Sequence, residues 1–266
     1  MNQKISPLTP FNAAIRLPGD KSISHRYGML TALAEGTSRI ANYASGADCH
    51  STLGAMRSLG AKITVNGTTV TVEGVGARGL QAPAAPVDAG NSGTTMRLLS
   101  GILAGQNFDC EMFGDESLNR RPMERIMNPL RLMGAKIEGR DEKYPPLRIF
   151  GRTLNSIEYA PPMASAQVKS CVLLAGLFAQ GETSVTERVQ TRDHTELALE
   201  EFGADIQVRG ARVTVRGGSR LTARDLVVPS DLSSAAFFLA IALLIPESSL
   251  QIQGAGLNPS RPPLLD

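Results

Sequence analysis

The chain has 266 residues, 42% of them hydrophobic, and its 27 Lys and Arg against 25 Asp and Glu leave a formal net charge of +2. That length fills one large domain or two ordinary ones, while interspersed charges, without a basic tail or a run of one sign, exclude a nucleic-acid binder held by a basic arm. The absence of Trp, the 5% aromatic content and three widely spaced cysteines, Cys49, Cys110 and Cys171, argue against a base-stacking surface, a disulfide framework and a zinc knuckle.

In chain order, the opening MNQKISPLTPFNAAIRLPGDKS has no apolar stretch of signal-peptide length and no Arg/Ser-rich transit pattern, so a reducing cytoplasm is the expected setting. Gly19-Asp20-Lys21-Ser22-Ile23-Ser24-His25-Arg26 then leads into a small-residue helix, HRYGMLTALAEG. A helical pattern over Thr52 to Leu59 ends at Gly60, where a left-handed cap stops the helix and a strand follows. ITVNGTTVTVEG, Ile63 to Gly74, alternates with period two about a central turn and predicts a hairpin. The same sequence of events returns twice. Asp88-Ala89-Gly90-Asn91-Ser92-Gly93-Thr94 opens TMRLLSGILAG, and a helix over Arg125 to Met133 ends at Gly134. Ser165-Ala166-Gln167 opens VKSCVLLAGLFAQG, a helix over Thr195 to Phe202 ends at Gly203, and DIQVRGARVTVRGG predicts a second hairpin. A fourth turn, Asp231-Leu232-Ser233-Ser234, opens AAFFLAIALLI, whose apolar run from Ala235 to Ile245 has about half the length needed to span a bilayer and reads as a buried helix; no membrane partner is expected.

The phrases Leu59-Gly60-Ala61-Lys62-Ile63, Met133-Gly134-Ala135-Lys136-Ile137 and Phe202-Gly203-Ala204-Asp205-Ile206 recur at a period of about seventy residues. The unit is strand, helix, strand, helix and a strand pair. Three units read as complete, roughly Ile15 to Gly79, Pro86 to Arg152 and Ile157 to Gly217, and a fourth opens at Asp225 and is cut at Asp266. A solenoid of identical repeats is disfavoured, because the period is long and the polar turns differ in chemically important residues. Because a natural domain seldom ends inside a unit whose faces need covering, the chain is expected to be a fragment or one half of a split protein.

The turns carry the chemistry. Lys21 and Arg26, with Ser22 and Arg26 one helical turn apart, suit a phosphate or carboxylate if the helix start offers free N–H groups; a capped helix with surface charges fits the octapeptide equally well. The residues exclude a P-loop, since Asp20 stands where the Gly directly before the Lys belongs. Asn91, Gly93 and Thr94 form a second turn with Arg97 one turn in. Asn119-Arg120-Arg121 places two guanidinium forks ahead of a helix. Ser165 and Gln167 add neutral donors. Thr191 to Glu196 reads either as acid–base machinery or as a helix cap with acidic residues in the first turn. His25, His50 and His194 are too scattered for a metal triad, and Cys49-His50 reads as local polarity. If the units pack about a pseudo-threefold axis, these turns converge on one end and share a pocket.

Together LPGDKSISHR, DAGNSGTTMRLL, DESLNRRPMERIMNPLRLMGAKI, PMASAQVKSCVLLAGL and TRDHTE resemble the enolpyruvyl transferase family, and within it the shikimate-pathway branch, over essentially the whole chain. The resemblance implies an α/β fold, α+β by some schemes: an inside-out α/β barrel of β-α-β-α-β-β repeats, three to a domain. Residues 21–230 would form one complete three-repeat domain, and 1–20 and 231–266 an incomplete part of the second. It implies transfer of the enolpyruvyl group of phosphoenolpyruvate to the 5-hydroxyl of shikimate 3-phosphate, with no metal or organic cofactor. Lys21, Ser22 and Arg26 are similar to shikimate 3-phosphate ligands, with Lys21 also reaching phosphoenolpyruvate as the catalytic cation. Gly93 and Arg121 resemble phosphoenolpyruvate contacts, in a turn shaped by Asn91 and Thr94. Ser165 and Gln167 are similar to further substrate ligands, and Arg192 to a residue on the shikimate side. The family's proton-transferring carboxylates would lie beyond residue 266, so the chain alone is expected to bind weakly without turnover. The alternative is a non-catalytic anion-binding or assembly fragment that works with a complementary C-terminal chain. A UDP-sugar enolpyruvyl transferase fits less well, because Ser22 stands where that sister group carries Asn and no Cys lies near Asn119 to Arg121. Gly19 to Ser22, Ser165 to Lys169 and Arg192 to Glu196 match motifs of the glyphosate-tolerant class, while Asn258-Pro259-Ser260-Arg261 departs by Ser for Thr and Gly93 departs from the bulkier residue of the best-known tolerant pattern.

Overall fold

A computed structural model describes residues 9–260; Arg261 and the second helix expected in the fourth unit lie outside them. The elements run β1 (Asn12–Arg16), α1 (Lys21–Leu33), β2 (Glu35–Ala41), α2 (Ala47–Ser58), β3 (Lys62–Asn66) and β4 (Thr69–Val75). Next come β5 (Val87–Asp88), α3 (Gly93–Ala104), β6 (Asp109–Phe113), a 3-10 turn at Leu118–Arg120, α4 (Glu124–Leu132), β7 (Lys136–Arg140) and β8 (Tyr144–Phe150). They continue with β9 (Leu154–Asn155), β10 (Glu158–Tyr159), α5 (Ala166–Gly176), β11 (Ala179–Gln180), β12 (Glu182–Thr186), α6 (His194–Glu201), β13 (Ile206–Arg209) and β14 (Arg212–Arg216), and close with β15 (Asp225–Val227), α7 (Leu232–Leu244) and β16 (Ser249–Gln253).

Three four-stranded sheets have the same plan, in the orders β15-β2-β4-β3, β5-β6-β8-β7 and β10-β12-β14-β13. In each, a parallel outer pair is followed by an antiparallel hairpin. The recurring Gly is explained by backbone geometry. Gly60, Gly134 and Gly203 have φ of +101°, +86° and +83°, the left-handed turn that ends α2, α4 and α6 and starts the hairpin, and a side chain there would be strained.

The first unit differs from the expectation that it opens near Ile15. Its outer strand is β15, from the far end of the chain, which pairs in parallel with β2, whereas β1 leaves that sheet and pairs in parallel with β16. The strand expected to open a fourth unit at Asp225 thus completes the first. A parallel partner is not specified by local pattern, since its crossover can have any length above a dozen residues.

Helices α1, α3 and α5 lie inside the three sheets. Met29, Leu33, Met96, Leu98, Leu99, Val172 and Leu173 have no exposed surface, and they share one core with Ile40, Val72, Met112, Val185 and Val215 of the sheets. Small residues such as Gly28 and Gly101 let these helices approach their neighbours closely. α7 stands apart. Only Leu232 and Ala235 of it are buried, in a small cluster with Leu17, while Phe237, Leu243 and Leu244 are 75%, 86% and 81% exposed. Among the described residues no helix is long and apolar enough to cross a membrane.

Candidate anion-binding site

The four polar turns are helix N-caps. The side chains of Asp20, Ser92, Ser165 and Asp231 accept from the backbone N–H groups of Ile23, Thr95, Val168 and Ser233 respectively, as Ser and Asp do at this position. At α1 this narrows one expectation, because part of the helix start is already engaged. The Ile23 N–H donates to Asp20 (3.0 Å) and the Lys21 N–H to Asp231 (3.3 Å), so much of the attraction for an anion there comes from side chains.

Those side chains converge across long sequence distances. Arg26 is 5% exposed, and its Nε donates to Thr195 Oγ1 (2.6 Å), Nη1 to the Ser22 carbonyl (2.8 Å) and Nη2 to Ser170 Oγ (2.7 Å). Three of the donors of a five-donor guanidinium are thereby fixed. Burial lowers its pKa to about 10, countered chiefly by Glu196, so it stays charged at neutral pH. Arg192, exposed, donates through Nη1 to Ser22 Oγ at 3.3 Å, which places two guanidinium groups at Ser22. Lys21 is ion-paired with Asp48 of α2, a carboxylate that sequence reasoning had not singled out.

A second group forms at the start of α3. Arg121 Nη2 donates to Asn91 Oδ1 (2.7 Å), and Asn91 Nδ2 to Asp115 (2.6 Å). Hydrogen bonding from Asn91 lowers the Asp115 pKa. Arg97 Nη1 donates to Gln167 Oε1 (3.0 Å), and Gln167 Nε2 to Thr94 Oγ1 (3.1 Å). Gln167 therefore joins α3 to α5. Burial, followed by repulsion from Arg121 and Arg125, lowers the Arg97 pKa, and mutual repulsion of cations is what an anion between them would relieve. Arg97 was noted in the sequence only as a cation one turn in; the structure makes it the link between Gly93 and Gln167.

The two groups touch through buried hydroxyls. His25 Nδ1 lies 2.6 Å from Thr52 Oγ1, Thr52 is 2.7 Å from Thr95 Oγ1, and the Thr95 hydroxyl donates to the Ser92 cap (2.8 Å). Desolvation, reinforced by Arg26 and Lys21, lowers the His25 pKa to about 3, so the ring is neutral.

Of the helix-cap reading of Thr191 to Glu196, the structure keeps the acidic residue in the first turn of α6, Glu196, with Asp193 at the cap position. The Asp193 side chain makes no capping hydrogen bond and instead accepts from Asn258 (2.7 Å) and Ser260 (3.2 Å). Glu196 is buried at 2.6 Å from Lys169 Nζ. Sequence reasoning missed Ser170, whose only signal was its place one turn beyond Ser165-Ala166-Gln167, and noted Lys169 and Glu196 only as the ends of motifs, without a structural role.

Residues 5–264 match the family model described as EPSP synthase (3-phosphoshikimate 1-carboxyvinyltransferase). The 3-phosphoshikimate 1-carboxyvinyltransferase of Solibacter usitatus is 62% identical over 266 residues, covering 100% of this chain and 62% of the relative. That of Koribacter versatilis is 54% identical over 264 residues, covering 99% and 61%. A solved EPSP synthase of Acinetobacter baumannii superposes with a TM-score of 0.92 at 48% identity, over 97% of this chain and 59% of that one. The chain thus spans about three-fifths of the length of these relatives, and over the shared part its mixed α/β architecture is that of the Acinetobacter structure.

Proposed function

The chain belongs to the EPSP synthase (3-phosphoshikimate 1-carboxyvinyltransferase) family, and from that premise we propose that it carries the anion-binding half of an enzyme transferring the enolpyruvyl group of phosphoenolpyruvate to the 5-hydroxyl of shikimate 3-phosphate. The observation that carries the reading is the gathering of Ser22, Arg26, Gln167 and Arg192 with Asn91, Gly93, Thr94, Arg97 and Arg121 at one end of the three inner helices. Fixed cations of this kind match two substrates that each carry phosphate and carboxylate, and they stabilise charge that develops during transfer at no cost in reorganisation.

Ser22, Arg26, Ser165 and Arg192 make the shikimate 3-phosphate side. Asn91, Gly93, Thr94 and Arg121 make the phosphoenolpyruvate side. Gln167 faces both, and Lys21 is drawn from Asp48 to bridge the substrates as they bind. Residues 21–230 form the complete domain, and 1–20 with 231–266 belong to a second. The Gly19 to Ser230 bridge, where the two crossings lie side by side, and the parallel β1–β16 pair support this division. So does the apolar surface of Phe237, Leu243 and Leu244, which a further layer of that second domain would cover.

Calorimetric titration with shikimate 3-phosphate tests the site: binding without turnover is expected of the chain alone. Adding a polypeptide equivalent to the remaining two-fifths of the Solibacter relative should restore phosphate release, and phosphate release by the chain alone would refute the division of labour. The motif matches also support glyphosate tolerance, and an inhibition curve of ordinary sensitivity in the restored enzyme would sink that reading.

A further inference from the structure

Lys169, with 1% of its side chain exposed, is among the largest fully buried side chains of the described residues. Its ammonium lies 2.6 Å from Glu187 Oε2 and 2.6 Å from Glu196 Oε1, both carboxylates themselves buried. Such an arrangement is a poor way to gain stability, since the desolvation of three charges offsets most of their attraction and apolar residues of equal volume would serve as well. What distinguishes it is the set of segments it ties together. Lys169 stands on α5 between Gln167 and Ser170. Glu187 follows β12 and accepts from the Thr191 hydroxyl (2.5 Å) and backbone N–H (3.3 Å), closing the loop that carries Arg192. Glu196 lies in the first turn of α6, directly after Thr195.

Each anchored segment therefore presents a residue of the anion site. Arg192 cannot hold itself in place: it is exposed, and its contact to Ser22 is long at 3.3 Å. Thr195 holds Arg26 only if the start of α6 is fixed against α5, where Ser170 Oγ lies 2.6 Å from Thr195 Oγ1.

We infer that Lys169, Glu187 and Glu196 form a buried positioning cluster, which fixes the 187–193 loop and the start of α6 so that Arg192, and Arg26 held by Thr195, meet the anion bound at α1. These residues act through others and do not touch substrate. The inference rests on the shikimate 3-phosphate reading of that subsite. Two carboxylates against one ammonium also leave a negative charge behind Arg26, which offsets the burial of its guanidinium.

The test uses the whole chain and two variants. Lys169→Met empties the cluster of its cation; Thr191→Val removes only the hydroxyl that fastens the loop, leaves no charge unpaired, and keeps the test valid if the first variant does not fold. Trypsin under native conditions reads the loop without any ligand, because Arg188 and Arg192 both lie in it. Cleavage after them should accelerate about tenfold in Thr191→Val while the unfolding midpoint barely moves. Shikimate 3-phosphate affinity should fall about tenfold in either folded variant, and by less than about twofold when the same change is made in an Arg192→Ala background, since residues acting through one another are not additive. Losses that simply add, or an unchanged cleavage rate, overturn the inference and leave the cluster a packing feature. If the unsubstituted chain binds no shikimate 3-phosphate while the variants are still nicked faster, the positioning of the loop stands and the substrate reading falls.

Discussion

The two sides of the candidate anion site are built by different physics. On the α1, α5 and α6 side, Arg26 is buried, fastened by three hydrogen bonds, and backed by hydroxyls and a buried charge cluster. On the α3 side, Arg121 and Arg97 are half-buried and held by the neutral side chains of Asn91 and Gln167. A cation whose charge is balanced inside the protein is part of the fold, and removing it disturbs folding and binding together. A cation left half in water is already solvated, so only a ligand notices its loss. Substitutions should therefore separate the two sides by whether stability and affinity move together.

The largest effect is expected on the buried side. Arg26→Met removes three charge-assisted hydrogen bonds and leaves the negative cluster uncompensated, which should cost about 3 kcal/mol of stability and weaken shikimate 3-phosphate binding by about two orders of magnitude. Denaturant unfolding and calorimetry read the two. Arg121→Ala is the matched experiment on the open side: its unfolding free energy should stay within about 0.5 kcal/mol, while phosphoenolpyruvate affinity in saturating shikimate 3-phosphate falls about tenfold. Equal destabilisation by both substitutions would break the comparison.

How much of this could be read in the sequence follows from how local each feature is. The polar turns that open α3 and α5 and the left-handed Gly60, Gly134 and Gly203 depend on a few adjacent residues, and they stand in the structure where the pattern put them. The hairpins of the first and third units were equally legible. The pairing of β15 with β2 was not, because a parallel partner nearly two hundred residues away leaves no local trace. The buried role of Lys169, which the sequence showed only as the end of a motif, was hidden for a related reason. A Lys is ordinarily read as surface, and nothing adjacent announces the two carboxylates that hold it inside. Asp48 and Asp231, which engage Lys21 and its N–H, likewise come from other elements.

The acid response should also divide by side. His25 has a folded pKa of about 3 against 6.5 when exposed, so between those values the unfolded chain binds a proton that the folded one refuses. Stability from this group is complete above about pH 6.5 and falls as pH drops, by on the order of 1 kcal/mol per pH unit. Burial raises the Glu196 pKa, which acts in the opposite sense above its ordinary value and reduces the observed slope. Unfolding free energies measured from pH 7 to pH 4.5 should therefore decline, and His25→Gln should flatten the decline. A slope unaltered by that substitution would place the acid sensitivity away from the buried side.

The smallest effect is expected at Gly93, and it isolates affinity from stability most cleanly. Gly93 is the first residue of α3, where a side chain favours the helix by up to about 1 kcal/mol relative to Gly. A Cβ there would stand 2.7 Å from Arg97 Nη1 and 3.5 Å from Arg121 Nη1, with no backbone atom among its three nearest neighbours. The near contact is the far end of a flexible side chain, so Arg97 yields by swinging aside and gives up its 3.0 Å bond to Gln167. Gly93→Ala should thus leave the unfolding midpoint unchanged or slightly raised, while phosphoenolpyruvate binds about threefold to tenfold more weakly, in keeping with the loss of one hydrogen bond and a shifted cation. Because Gln167 stands on α5, three residues before Ser170 of the buried side, shikimate 3-phosphate affinity measured alone on the same variant reports whether the disturbance crosses between α3 and α5. If it falls as far as phosphoenolpyruvate affinity, Gln167 couples the two sides and they do not act separately.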